Sequence, residues 1–159
     1  MSFDVFLNDP TGQPLAHPVR AEALSVLDRY GARPFDTGDG FSVRWDDGTG
    51  FALHSRSFGG RPGPFHALLS PLGGLGRRFC DFVYEFALAT RCTISPDVIP
   101  PLTLVVSPDG TEHRTRGPSK APTVVRVSSG HDVRNALRPG YTQWRDLLEE
   151  TAGRPNKAT

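Results

Sequence analysis

The stretch between Leu75 and Val106 constrains the fold of this chain more than any other. Its first half places apolar side chains at helical spacing, on one wide stripe: Leu75, Phe79, Phe82, Val83 and Phe86. A β-rich run, Leu102–Val106, follows after several prolines. The stretch therefore predicts a buried core helix followed by strands, on which the rest of the chain packs.

A chain of 159 residues is expected to form one domain that buries about two thirds of its unfolded surface. We expect this domain to span residues 1–150 and residues 151–159 to form a flexible tail. Hydrophobic residues make up 37% of the chain, and ten phenylalanines supply the bulk of a single core. Such a core requires neither a disulfide nor a structural metal.

The net charge of +1 provides no general attraction to nucleic acid or to an acidic membrane, so neither is expected as a partner. The first residues lack the features of a signal peptide, and no apolar stretch approaches the roughly 18 residues that a membrane span needs. Cys80 and Cys92 form no metal-binding or redox spacing and are expected to be small buried hydrophobes. These features indicate a cytoplasmic protein without a cofactor or a metal site.

Local patterns predict the remaining elements. Alternating apolar residues predict strands, and helical spacing after Pro18 predicts a helix that Gly31 closes. The predicted strands and loops are a strand at 3–7, a hairpin at 41–45 and 51–54, a polar loop at 111–122 and a strand at 123–127. Phe65, Leu68 and Leu69 predict a short helical turn. The breaker Pro139-Gly140 predicts two short helices near the C-terminus.

This order of elements is typical of an α+β fold. It predicts a mostly antiparallel sheet of five or six strands, because short connections favour hairpins. Two main helices are expected to pack on one face of that sheet, followed by the short C-terminal helices.

None of the five histidines lies at a spacing from another His, Cys or carboxylate that is typical of a metal site. The pattern therefore favours solvated or structural histidines. The alternative is an acid/base pair of a small metal-independent hydrolase or nuclease. Its candidate catalytic residues are His54 on the hairpin, His66 after the Gly/Pro-rich loop, and Glu85 on the core helix.

Two groups of charged residues are candidates for contacts with a partner protein. They are Asp36, Asp39, Asp46 and Asp47 in predicted turns, and Arg114, Arg116 and Lys120 in the polar loop. The aspartates lack the frame of a calcium-binding loop and stand near glycines, where aspartate is an ordinary turn former. The basic residues have no interleaved aromatics, which is typical of a solvated loop or the rim of a protein interface.

The aromatic first strand, the helix after it, the hairpin and the segment FALATRCTISP at residues 86–96 together resemble a known family. They are similar to the immunity proteins of polymorphic and contact-dependent toxin systems over residues 3–106. That resemblance implies a cytoplasmic, non-enzymatic protein that neutralises a cognate bacterial toxin by direct contact. Polar loops would then carry the binding surface. A third possibility is an accessory domain of a phage or secretion apparatus.

Overall fold

The computed structural model describes residues 2–107 and 123–152. The strands are β1 (Val5–Asn8), β2 (Arg33–Pro34), β3 (Gly40–Arg44), β4 (Gly50–His54), β5 (His66–Leu72), β6 (Thr93–Pro96), β7 (Leu102–Val106) and β8 (Thr123–Val127). The helices are α1 (His17–Arg29), α2 (Arg77–Thr90) and α3 (Gly130–Ala152). The strands form one mixed sheet in the order β2-β3-β4-β5-β1-β6-β7-β8, in which β7 and β8 are parallel.

Helix α2 lies in the middle of the helix layer, between α1 and α3. The ring of Phe82 stacks on Phe51 of β4 with 4.1 Å between the ring centroids. Phe86 extends this stack, 5.3 Å from Phe82. All three rings are fully buried. The core helix predicted from the apolar stripe is therefore confirmed, although its first regular residue is Arg77 rather than Leu75.

Alternate residues of the strands point toward the helix layer and are buried there. On β1, Val5 and Leu7 are fully buried, whereas Phe6 and Asn8 are half-buried. The three helices pack side by side on this buried side, and none of the described helices covers the other side of the sheet. We call that other side the open face. Its residues on the four neighbouring strands β4, β5, β1 and β6 include Phe6, Asn8, Ala52, His54, His66, Leu68, Ser70, Thr93 and Ser95.

Local signals in the sequence correctly located the first helix and the hairpin. Helix α1 has Pro18 in its first turn, and Gly31 follows it with a φ of 76°. In the hairpin, Phe41 lies opposite Leu53 of the next strand. Both predictions are confirmed. These elements could be predicted because turn residues and hydrophobic periodicity act over a few residues.

Both cysteines are free and buried, as the sequence predicted. Burial raises the pKa of the Cys80 thiol to about 12. Burial likewise raises the pKa of the Cys92 thiol to about 11. Since the thiolate is the reactive form, both side chains act as packing groups.

The predicted sheet of five or six mostly antiparallel strands is wrong, because the sheet is mixed and has eight strands. The segment predicted as a helical turn is β5, which pairs with β4 and β1 inside the sheet. A short apolar run fits helix and strand equally well, and here Ala67 and Leu69 face the core at a spacing of two. The other missed strand, β2, has only two residues, too few to show a hydrophobic pattern.

The prediction of two main helices with short C-terminal helices is also wrong, because α3 is one helix of 23 residues. Pro139 lies inside it, where proline costs about 3 kcal/mol. Side chains before and after Pro139 pack into the same core. Val133 and Leu137 are fully buried, and Tyr141 packs edge-on against Phe3 with 5.3 Å between ring centroids. That burial outweighs the local cost and keeps the helix continuous.

The structure describes only part of the predicted loop and tail. Thr151 and Ala152 belong to α3, and residues 153–159 lie outside the described residues. The polar loop predicted at residues 111–122 also lies outside them. No helix in the described part of the chain has the length and apolar character needed to cross a membrane.

The close approach of α3 to α2 at Gly130 leads to a prediction about stability. A Cβ atom at Gly130 would lie 2.6 Å from Cα and 2.8 Å from the backbone N of Asp81. Because these are backbone atoms, we predict that Gly130→Ala lowers the free energy of unfolding by about 2 kcal/mol. Urea unfolding followed by circular dichroism measures this. Gly76→Ala is the control, since nothing lies within 4 Å of its added Cβ, and should cost less than about 1 kcal/mol. Wild-type stability of Gly130→Ala would contradict the close approach.

Candidate functional site

The structure brings His54 and His66 together at one end of the open face. His54 is the last residue of β4, and His66 is the first residue of β5. His54 lies opposite Leu68, so His66 is its diagonal neighbour on the same face, with the Cβ atoms roughly 7 Å apart. Both side chains are exposed and line one cavity of about 470 Å³. We call it the histidine cavity, and its polar lining is His54, His66, Asp39, Arg56, Arg61, Ser55 and Ser57.

His66 is held by two neighbours on the open face. Its ring stacks on Phe6 with 5.6 Å between ring centroids. Its Nδ1 donates a hydrogen bond to Oδ1 of Asn8, the residue opposite it on β1. In the neutral imidazole this bond leaves Nε2 as the acceptor. His66 can therefore take a proton or a hydrogen bond through Nε2.

His54 lies between an aromatic ring and a carboxylate. Its ring centroid is 4.9 Å from that of Phe35. The hydroxyl of Thr37 donates a hydrogen bond to Asp39, and this bond is the main reason why the pKa of Asp39 lies below its ordinary value. The positive charges of His54 and Arg61 lower it further. Asp39 thus carries a negative charge near neutral pH.

Arg56 and Arg61 lie on the loop between β4 and β5 and add two guanidinium groups to the cavity. Among the residues that the structure describes, neither guanidinium forms an ion pair. Neither arginine was predicted as a site residue, because Gly and Pro between residues 59 and 64 predicted only an irregular loop. One signal was present in the sequence, since both arginines lie between the two histidines along the chain.

The loop that carries these arginines is irregular but anchored from the inside. Ser55 is buried, and its Oγ donates a hydrogen bond to the carbonyl oxygen of His66 at 2.7 Å. Arg20 of α1 donates to the carbonyl oxygens of Ser57 and Phe58 at 2.7 and 3.0 Å. The ring of Phe58 is itself buried. These contacts fix the backbone of the loop relative to both histidines.

Glu85, the third candidate catalytic residue, lies far from this cavity. It belongs to α2 in the helix layer, on the other side of the sheet. Its carboxylate accepts a hydrogen bond from the Tyr30 hydroxyl at 3.0 Å and lies 3.1 Å from the guanidinium of Arg29. Burial, followed by this hydrogen bond, raises the pKa of Tyr30. Glu85 therefore connects α1 with α2 and does not act with His54 and His66.

The four aspartates proposed as partner contacts lie at two opposite ends of β3. Asp36 and Asp39 precede this strand, near the histidine cavity, whereas Asp46 and Asp47 lie in the hairpin loop after it. The five residues of β3 separate the two pairs by roughly 15 Å. All four are exposed, and Asp47 accepts hydrogen bonds from the backbone N and Oγ1 of Thr49, as in an ordinary turn. The three basic candidates lie outside the described residues: Arg114, Arg116 and Lys120.

The histidine cavity combines groups that can move protons and bind negative charge. Two imidazoles on one face can serve as general acid and base, and guanidinium groups stabilise charge that develops on oxygen. In residues 2–107 and 123–152 no group of three or more His, Cys, Asp or Glu side chains is placed to hold a metal ion. The titratable groups that line the cavity are imidazole, guanidinium and carboxylate groups.

Comparison with known proteins identifies no relative. The chain matches no protein family, no curated protein and no solved structure. The open face and the histidine cavity are thus the features from which a function can be inferred.

The anchoring of the loop by Arg20 can be measured by limited proteolysis. We predict that Arg20→Met, which keeps the apolar stem but removes both hydrogen bonds, speeds tryptic cleavage after Arg56 about tenfold. The reason is that cleavage follows the population of the opened loop. Arg77→Met is the control, because the Arg77 side chain is largely exposed. Cleavage at the wild-type rate in Arg20→Met would show that the loop is held by other contacts.

Proposed function

We propose that this chain is a non-enzymatic cytoplasmic binding protein, and more specifically an immunity protein that neutralises a cognate bacterial toxin by direct contact. The observation that carries this proposal is the open face of the eight-stranded sheet. This face is broad and is formed by hydrogen-bonded strands. The helix layer packs on the opposite face of the sheet and holds the strands in place.

The chemistry of the open face suits a protein partner. Apolar side chains lie near its centre, where Phe6 of β1 and Leu68 of β5 are half-buried neighbours opposite each other. Hydroxyl groups of Ser70 and Ser95 lie beside them on β5 and β6. Transient interfaces commonly combine an apolar centre with a polar rim. The open face offers both parts of such an interface.

The rigidity of the sheet supports inhibition by contact. A partner that binds strands already held by neighbouring strands requires little ordering of the backbone, so less of the interaction energy is lost. The exposed loops at the ends of β3 extend the surface at its edge, and they carry Asp36, Asp39, Asp46 and Asp47. Because the two aspartate pairs lie at opposite ends of β3, a partner protein would contact either one pair or, if it extends along the whole strand, both.

A pair of serine substitutions tests whether the open face binds the toxin. Ser95→Arg places a long charged side chain beside Phe6, its cross-strand neighbour at the centre of the open face. We expect it to abolish co-purification with the toxin encoded by the adjacent gene and to abolish rescue of cells that express this toxin. Ser25→Arg is the matched control, because Ser25 is exposed on α1 in the helix layer, and it should preserve both properties.

Two results would contradict the immunity proposal. The first is that the wild-type chain neither co-purifies with the adjacent gene product nor rescues cells from it. The second is that Ser95→Arg and Ser25→Arg behave alike, which would exclude the open face as the contact surface.

A second candidate function is a small metal-independent hydrolase or nuclease, and one observation favours it. His54 and His66 line the same cavity, and two arginines lie beside them. One imidazole as base can take the proton of the attacking hydroxyl group or water, and the other as acid can protonate the leaving oxygen. The guanidinium groups can stabilise the charge on the non-bridging oxygens of the phosphodiester. This candidate does not use Glu85, which lies across the sheet.

Cleavage of a ribodinucleoside monophosphate, whose alkoxide leaving group has to be protonated, tests the second candidate. We predict that His54→Ala and His66→Ala each lower the rate by about a hundredfold, because each removes one proton-transfer group. His17→Ala is the control, since His17 is exposed at the start of α1 in the helix layer. Absence of cleavage by the wild-type chain, or equal rates in all three variants, would eliminate this candidate.

A further inference from the structure

We infer that the histidine cavity binds the phosphate group of a phosphate monoester or diester, with Arg56 and Arg61 as its principal ligands. This inference goes beyond the proposed toxin binding, which uses the open face as a whole. A phosphate group would also be the substrate group for the second candidate function. The inference requires only that the cavity binds phosphate, not that the chain cleaves a phosphate ester.

The charges around the cavity favour an anion. Its lining contains the guanidinium groups of Arg56 and Arg61 and the imidazoles of His54 and His66, against a single carboxylate, that of Asp39. Guanidinium groups bind phosphate oxygens through paired hydrogen bonds and stay charged at all relevant pH values. The two guanidinium groups of the loop therefore supply donors to a phosphate group, and the imidazoles of the sheet add donors when they are protonated.

The two guanidinium groups are available to a ligand. The described residues provide no ion pair for either Arg56 or Arg61. The consecutive residues Arg77 and Arg78 differ in this respect, because each contacts another side chain. The guanidinium of Arg78 stacks over Trp45 at 4.7 Å from the ring centroid, and that of Arg77 lies 3.8 Å from the carboxylate of Asp81. What distinguishes Arg56 and Arg61 is that both lie on an anchored loop and line one cavity together with two imidazoles.

The walls of the cavity are held by contacts within the chain. The Oγ of Ser55 connects the loop to the start of β5, and the guanidinium of Arg20 holds two loop carbonyl oxygens. Aromatic rings support both imidazoles from the side, Phe6 beside His66 and Phe35 beside His54. A volume of about 470 Å³ exceeds that of a phosphate group and leaves room for an attached organic group.

Titration with inorganic phosphate tests the inference. Amide shifts of ¹⁵N-labelled full-length protein are followed as phosphate replaces chloride at constant ionic strength. We expect saturable shifts in the loop between β4 and β5. Arg56→Gln and Arg61→Gln should each weaken binding about tenfold, because each removes a charged hydrogen-bond donor. Arg44→Gln is the matched control, since Arg44 is exposed at the far end of β3, and should leave the affinity unchanged.

Asp39→Asn provides a test in the opposite direction. It removes the single carboxylate of the cavity while keeping an acceptor for Thr37, so phosphate affinity should rise about threefold. A merely structural role of these residues would not produce losses at the arginines and a gain at Asp39. The amide spectra of all variants report whether the fold is retained.

Nucleotide probes separate the two sources of a phosphate group. Tighter binding of adenosine monophosphate than of short single-stranded RNA would identify a monoester, and the reverse order would identify a diester.

The inference is overturned if phosphate causes no saturable shifts at the loop, or if Arg56→Gln, Arg61→Gln and Arg44→Gln bind it equally. Toxin neutralisation is measured separately, by comparing Ser95→Arg with Ser25→Arg, so failure of phosphate binding does not contradict the immunity proposal. Phosphate binding without hydrolysis would eliminate only the second candidate.

Discussion

The stacking of Phe82 on Phe51 joins the helix layer to the sheet, and the rest of the structure depends on this contact. The two rings lie 4.1 Å apart, and Phe86 continues the stack along α2. Such an aromatic pair contributes about 1 kcal/mol beyond the area that it buries. Because α2 also contacts α1 and α3, the helix that carries Phe82 positions the whole layer on one side of the sheet.

Packing from one side determines what the other side presents. Each strand alternates its side chains, so the residues that face away from α2 form a second surface whose composition is free of the demands of the core. The antiparallel pairing of β4 with β5 then places the end of one strand next to the start of the other. His54 and His66 become neighbours for this reason, and the loop between them brings Arg56 and Arg61 to the same edge.

The histidine cavity lies at one end of the open face and differs in chemistry from the centre of that face. The centre of the open face combines an aromatic ring with hydroxyl groups, which suits a protein surface, whereas the cavity concentrates imidazole and guanidinium groups, which suit an oxyanion. Asp39 belongs to the cavity, while Asp47 lies at the opposite end of β3 and acts as a turn residue. The charged residues near the sheet edge therefore do not form one surface.

By itself, the sequence determined the elements with local signals. Helix α1, the apolar stripe of α2 and the β3–β4 hairpin could be located because caps, turns and periodicity act within a few residues. Strand β5 could not, since a short apolar run fits a helix as well, and the continuous α3 could not, since burial on both sides of Pro139 outweighs its local cost.

The candidate site divides in the same way. The sequence predicted His54, His66 and Glu85 as candidates from their residue types. Only the tertiary structure decided that the two histidines line one cavity and that the sheet separates them from Glu85. The pairing of β4 with β5 joins residues across a long irregular loop, and no local pattern encodes which strands will pair across such a connection.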